Sequence, residues 1–150
     1  VQFVTKGKDL LNKFKLTVIR AGAASDAEYT QQVRQELLDA FPTAIVIDRF
    51  VSPQELAAVL AHTILNFHPP ANDADGMTVV EAAAFGAPSV LAGSSIGAFL
   101  LLGVDGCLPV SMPEDEHGLP QESLDNFFNF FKMIRTKSGK ECQPPLEIEQ

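Results

Sequence analysis

Three features of the sequence predict an α/β domain with a mostly parallel sheet. Short runs rich in β-branched residues alternate along the chain with segments of helical periodicity, the pattern of strands joined by crossover helices. Five such runs, at residues 16–20, 44–48, 63–67, 89–92 and 107–110, are largely apolar without in-and-out alternation, as strands covered on both faces read. Between them, two helical segments open on a Ser with Glu three residues later, a pattern that satisfies two otherwise orphaned backbone donors at a helix start.

Taken in order, the first of these helices opens at Ser25 with Glu28 as the reciprocal partner. Tyr29, Val33, Leu37 and Phe41 then fall on one stripe. The second has Ser52 as cap, Pro53 at the first helical position and Glu55 closing the box, with Leu56, Val59 and Leu60 facing the sheet. A third helix follows Gly76 and a fourth follows Ser95. The last begins near Pro120 and turns Leu124, Phe127, Phe128, Phe131 and Ile134 inward as core packing. Residues 1–135 are thus expected to form one domain, and residues 136–150 a polar C-terminal tail.

The chain of 150 residues, 46% apolar, is long enough to close one core. A net charge of −8 argues against nucleic acid as a partner, since phosphate backbones are held by clustered Lys and Arg. Cys107 and Cys142 lack disulfide-scaffold or zinc spacing and read as reduced thiols. His62, His68 and His117 have no companions at ligand spacing, so no metal site is expected. Lys6, Lys8 and Asp9 near the N-terminus are unlike a signal peptide, which points to the cytosol or a cytosolic membrane face. Residues 82–104 carry no charge over a length that could cross a bilayer. Gly86-Ala87-Pro88 and Gly93-Ser94-Ser95 cut that run into pieces sized for a buried strand and helix, so no transmembrane segment is expected.

The segment most informative about chemistry runs from Asn66 to Pro88: a strand, a polar loop ending in Gly76, a helix, and a turn into the next strand. In an open parallel sheet such a loop lies at the carboxyl ends of the strands, where ligands bind. The amides of Met77 and Thr78 would be unpaired at the helix start, where the helix dipole favours an anion such as a diphosphate. Gly76 lets that backbone approach without a Cβ in the way. Asp73 and Glu81 flank the site as carboxylates, which accept hydrogen bonds from sugar hydroxyls.

These residues resemble the donor-binding motif of the group-1, family-4-like retaining glycosyltransferases with the GT-B fold. Asp73 and Glu81 stand at the motif's two acidic positions, Gly76 at its glycine, and Phe85-Gly86-Ala87-Pro88 at its turn. Upstream, Thr5-Lys6-Gly7-Lys8 is similar to the family's Lys-Gly segment, and the order of elements matches as far as about Val110. The resemblance implies a Rossmann-like three-layer domain, one half of a GT-B architecture, that binds a nucleoside-diphosphate sugar for transfer with retention. It implies that Glu81 binds the ribose, Asp73 a sugar hydroxyl, the backbone at Met77 and Thr78 the phosphates together with Lys6, and the stretch around Phe50 and Val51 the base. It asks for no cofactor and no metal, because the helix start and Lys6 meet the diphosphate charge. The partner it requires is an N-terminal acceptor domain or a separate chain that supplies the acceptor side.

Four departures qualify the likeness. Asp73 stands where the family has Glu and is one methylene shorter; the Arg that precedes the Lys-Gly segment falls outside this sequence; Arg20 replaces a strand-end glycine; and the acceptor-binding half is not among these residues. Plainer readings also exist. Thr78 to Glu81 is itself the spacing of a capping box, Asp73 and Asp75 suit ordinary turns, and Lys6 suits a solvated surface. A rival chemistry rests on Gly93-Ser94-Ser95-Ile96-Gly97, which has the spacing of a nucleophile elbow between strand and helix. Ser95 would then attack an ester with Asp105 or Asp115 and His117 as helpers. A third reading is a binding or regulatory module derived from a transferase and turning nothing over.

Overall fold

The structure, a computed structural model, describes residues 5–13, 15–22, 26–68, 75–93, 97–110 and 120–138. The elements are α1 (Lys8–Lys13), β1 (Ile19–Ala21), α2 (Ala27–Ala40), β2 (Ile45–Ile47), α3 (Pro53–His62), β3 (Asn66–His68), α4 (Met77–Ala84), β4 (Ser89–Ala92), α5 (Gly97–Gly106), β5 (Cys107–Val110) and α6 (Gln121–Ser138). The chain is therefore mixed α/β, and every strand pairing among the described residues is parallel. The strands assort into two sheets: β1–β2, and a three-stranded sheet in the order β3–β4–β5. Two compact units correspond to them, the first within residues 1–57 and the second beginning at Ala58.

In the first unit, β1 and β2 align Ile19 with Ile45 and Ala21 with Ile47. The strand expected at residues 16–20 starts late because the chain is still leaving α1: Leu16 N–H reaches back to the Leu11 carbonyl and Lys15 N–H to that of Asn12. The cap of α2 is Asp26, whose carboxylate accepts from Tyr29 N–H at 2.9 Å, and not Ser25, which lies outside the described residues. A carboxylate there meets the helix dipole with a full charge, which a hydroxyl lacks. Leu37 and Phe41 are buried as the stripe requires, while Tyr29, one turn from the cap, is exposed. At α3 the capping box is reciprocal: Ser52 N–H donates to the Glu55 carboxylate at 2.9 Å, and Glu55 N–H to Ser52 Oγ at 3.3 Å.

In the second unit, β4 is the central strand and all four of its residues are buried. Its Ser89 is buried yet satisfied, because Asn66, its neighbour across the β3–β4 ladder, donates from Nδ2 to Ser89 Oγ at 3.0 Å. Val79, Leu91, Ala98 and Cys107 form a core cluster against which Val80, Phe99 and Leu102 pack. Burial raises the Cys107 thiol above its ordinary pKa. α6 packs on β5 and buries Leu124, Phe127, Phe130, Phe131 and Ile134, with Phe127 and Phe131 stacked at 6.4 Å. The buried stripe thus takes in Phe130, and Phe128 sits half-buried at its margin in edge-to-face contact with Phe127.

The uncharged run at residues 82–104 is divided as its glycines imply. α4 ends at Phe85, where Gly86 takes φ 76°, its N–H bonds the Ala83 carbonyl and Ala87 N–H bonds that of Ala82. That pair of bonds closes a helix on a left-handed residue, which glycine adopts without a Cβ clash, and Pro88 then prevents continuation. Among the described residues no helix is long and apolar enough to cross a membrane. α5 is broken at Gly103 and leaves Leu100, Leu101 and Val104 exposed.

Candidate functional site

Parallel pairing of β3, β4 and β5 brings their carboxyl ends, His68, Ala92 and Val110, to one edge of the sheet. α4 packs against β3 and β4 and starts from that edge. Its first residue follows Gly76, which caps the helix in the left-handed conformation (φ 65°, ψ 47°) and offers no side chain to its amides. The Gly76 carbonyl accepts from Val79 and Val80 N–H, so helical bonding begins there. The amides of Met77 and Thr78 donate to no backbone carbonyl among the described residues. They are the orphan donors of a helix N-terminus, where the dipole adds partial positive charge.

Two features organise the surroundings. Thr78 Oγ1 and His68 Nδ1 are hydrogen-bonded at 3.0 Å, which ties the first turn of α4 to the end of β3. Ala98 N–H donates to the Asp75 carbonyl at 3.1 Å, which ties the first turn of α5 to the same loop. Asp75 thus has a structural use through its backbone. His68 is the residue that spacing alone passed over. Its signal is positional, as the last residue of a strand facing the second residue of the helix that the strand feeds.

Glu81 lies on α4 with its side chain exposed, three residues after Thr78 and four after Met77, and so one turn along the same face. The capping-box reading of Thr78 and Glu81 does not hold. The helix starts before Thr78, the cap is Gly76, and the Thr78 hydroxyl is taken by His68. Gly76, Met77, Thr78 and Glu81 therefore stand together at one helix start. Asp73 lies outside the described residues, as do Ser95, Asp115 and His117 of the rival constellation; Asp105 is an exposed residue near the end of α5.

The other residues expected at a donor site, Lys6, Phe50 and Val51, belong to the first unit. Lys6 is exposed in a helical turn just before α1. Phe50, 78% exposed, and the half-buried Val51 lead from β2 into α3. Their neighbour Arg49 is fixed by a two-pronged ion pair with Glu55, at 2.7 and 3.2 Å, and donates to the Phe50 carbonyl at 3.1 Å. The Arg49 guanidinium, with the Ser52 amide second, holds the Glu55 carboxyl down at about 2. Glu55 raises Arg49 in return.

Among the described residues, no group of three or more His, Cys, Asp or Glu side chains is placed to hold a metal ion. Compared with known families and with curated proteins, the chain matches no family model and no relative.

Proposed function

We propose that this chain is the donor-binding half of a retaining glycosyltransferase, a Rossmann-like domain that grips a nucleoside-diphosphate sugar at the start of α4. The observation that carries the reading is local: a glycine-capped helix start with two amides that donate to no backbone carbonyl among the described residues, and an exposed carboxylate one turn along the same face. The amides of Met77 and Thr78 suit the two negative charges of a diphosphate. Glu81 suits the ribose hydroxyls, which donate to it. Asp73, three residues before Gly76 in the sequence, is assigned to the donor sugar. Stabilising the charge that develops on the departing diphosphate is the main catalytic contribution of such a half. The acceptor and its binding surface come from a second domain or chain.

Calorimetric titration of wild type, Glu81→Gln and Ser95→Ala with UDP, GDP, ADP and their glucose or mannose conjugates tests this. One nucleotide series should bind, and Glu81→Gln should weaken it about tenfold, the worth of a hydrogen bond to a charged group, at unchanged thermal stability. No binding, or binding indifferent to Glu81 in a folded variant, rejects the transferase reading. Ester turnover abolished by Ser95→Ala would then favour the hydrolase, whereas binding without transfer in the presence of an acceptor half would mark a non-catalytic module.

A further inference from the structure

In the first unit, the carboxyl edge of the β1–β2 sheet carries a cluster of charged side chains. Asp48, the residue after β2, offers one oxygen to Arg20 on β1, through Nη1, and the other to Arg34 on α2, whose Nη1 lies at 2.9 Å. One carboxylate neutralises one guanidinium, so the cluster keeps a net positive charge in a chain whose formal charge is −8. Each arginine uses Nη1 alone, and its Nη2 and Nε have no hydrogen-bond partner among the described residues. The three side chains are 24%, 42% and 29% exposed for Arg20, Arg34 and Asp48, so the spare donors are within reach of solvent and solutes. Beyond the strand end, Gly22 is held by its N–H to the Ile47 carbonyl, and a Cβ placed on it would meet no atom of the described residues within 4 Å apart from its chain neighbours. The cluster stands at the carboxyl edge of a parallel sheet, the edge where parallel α/β proteins bind ligands.

We propose that Arg20 and Arg34, set by Asp48 at this edge, form a binding site for a phosphoryl dianion carried by a small molecule. Two planar forks anchored on a shared carboxylate have lost much of their side-chain freedom beforehand, and their remaining N–H pairs match the terminal oxygens of a phosphoryl group. Asp48 is a positioning residue, since an anion in the site would repel it and be held by the guanidiniums on either side. The proposal rests on residues of the first unit alone and does not depend on the chain being a transferase.

Titration of the full chain with inorganic phosphate and with glucose 6-phosphate, followed by the arginine Nε–Hε resonances in nitrogen-15 spectra, reads the site directly. The Arg20 and Arg34 signals should move together and saturably, unlike their response to sodium chloride at matched ionic strength. The tighter of the two ligands identifies the source as free phosphate or a phosphorylated sugar. Arg34→Gln should raise the phosphate Kd about tenfold, and Arg34→Lys, which keeps the ion pair but not the fork, should also weaken binding. Glu81→Gln should leave the response of Arg20 and Arg34 intact, so that failure of the donor site and failure of this site are read separately. Shifts that track ionic strength without saturating, or an affinity unchanged in either folded Arg34 variant, would overturn the proposal.

Discussion

Arg49 and Glu55 show how much a single exposed pair does at a helix start. Glu55 serves two partners, closing the capping box with Ser52 and receiving the Arg49 guanidinium. Its folded pKa, about 2 against an ordinary 4.5, is lowered, so the pair stabilises the fold above pH 4.5 and that stability is lost as pH falls towards 2. In Glu55→Gln the box can still close but no charge remains. The wild-type advantage in urea midpoint over this variant should therefore be full at pH 6, shrink between pH 4.5 and 2, and narrow in high salt; a constant difference across that window would show that the charge contributes nothing. The same residue-scale view separates Glu81 from Glu55. One carboxylate is consumed by its own helix cap, whereas the other stands on a helix capped by glycine, with no side-chain cap hydrogen bond.

Helix ends provide a matched comparison. α4 and α1 close with the same pair of backbone bonds, six-to-one and five-to-two, but α4 places Gly86 at the left-handed position and α1 places Lys15 there, at φ 52°. An L side chain in that conformation costs on the order of 1 kcal/mol that glycine avoids. Gly86→Ala should accordingly destabilise by about 1 kcal/mol, and Lys15→Gly should stabilise by up to about 1 kcal/mol, both measured by urea unfolding. Two changes of the same sign would show that the left-handed position is not the controlling feature. This contrast also marks what was legible in the sequence. Ser52-Pro53-x-Glu55 and Gly86-x-Pro88 announced a helix start and a helix stop because side-chain chemistry fixes them, and β4 and β5 were bounded correctly by the glycines and turns beside them. The start of β1 was misplaced because α1 is closed by a lysine, with no glycine to flag it. The tie between Ala98 and Asp75 left no trace at all, being made of backbone atoms that every residue has.

For the molecule as a whole, hydrophobic pattern foretold the parallel pairing but not its partition. β4 is buried along its length, as an uninterrupted apolar run requires, whereas β1 and β2 are three-residue strands with no fully buried residue, and the ladder stops between β2 and β3. A five-strand reading could not see this, because Ile45-Val46-Ile47 is as apolar as Ser89-Val90-Leu91-Ala92, and composition does not say how many neighbours a strand finds. Of the candidate site, the helix start was legible from Gly76 onwards, while the part played by His68 was not, since a lone histidine carries no spacing signal.

Cys107 gives the second unit an internal clock. Its thiol is 1% exposed, lies in the core cluster with Val79, Leu91 and Ala98, and is raised in pKa by burial, so both steric access and thiolate fraction oppose alkylation in the closed state. With Cys142→Ser leaving one thiol in the chain, reaction with a thiol reagent can proceed only through openings that expose β5. Labelling should be slow in buffer and accelerate steeply and smoothly with urea, and its rate relative to that of the unfolded chain is the opening equilibrium of this unit alone, read without any optical probe. Reaction in buffer as fast as in the unfolded chain would mean that β5 is not held shut. If a nucleotide sugar or any other ligand binds between the edge of β3 and the first turn of α4, its occupancy should slow the clock in proportion to the stability it adds.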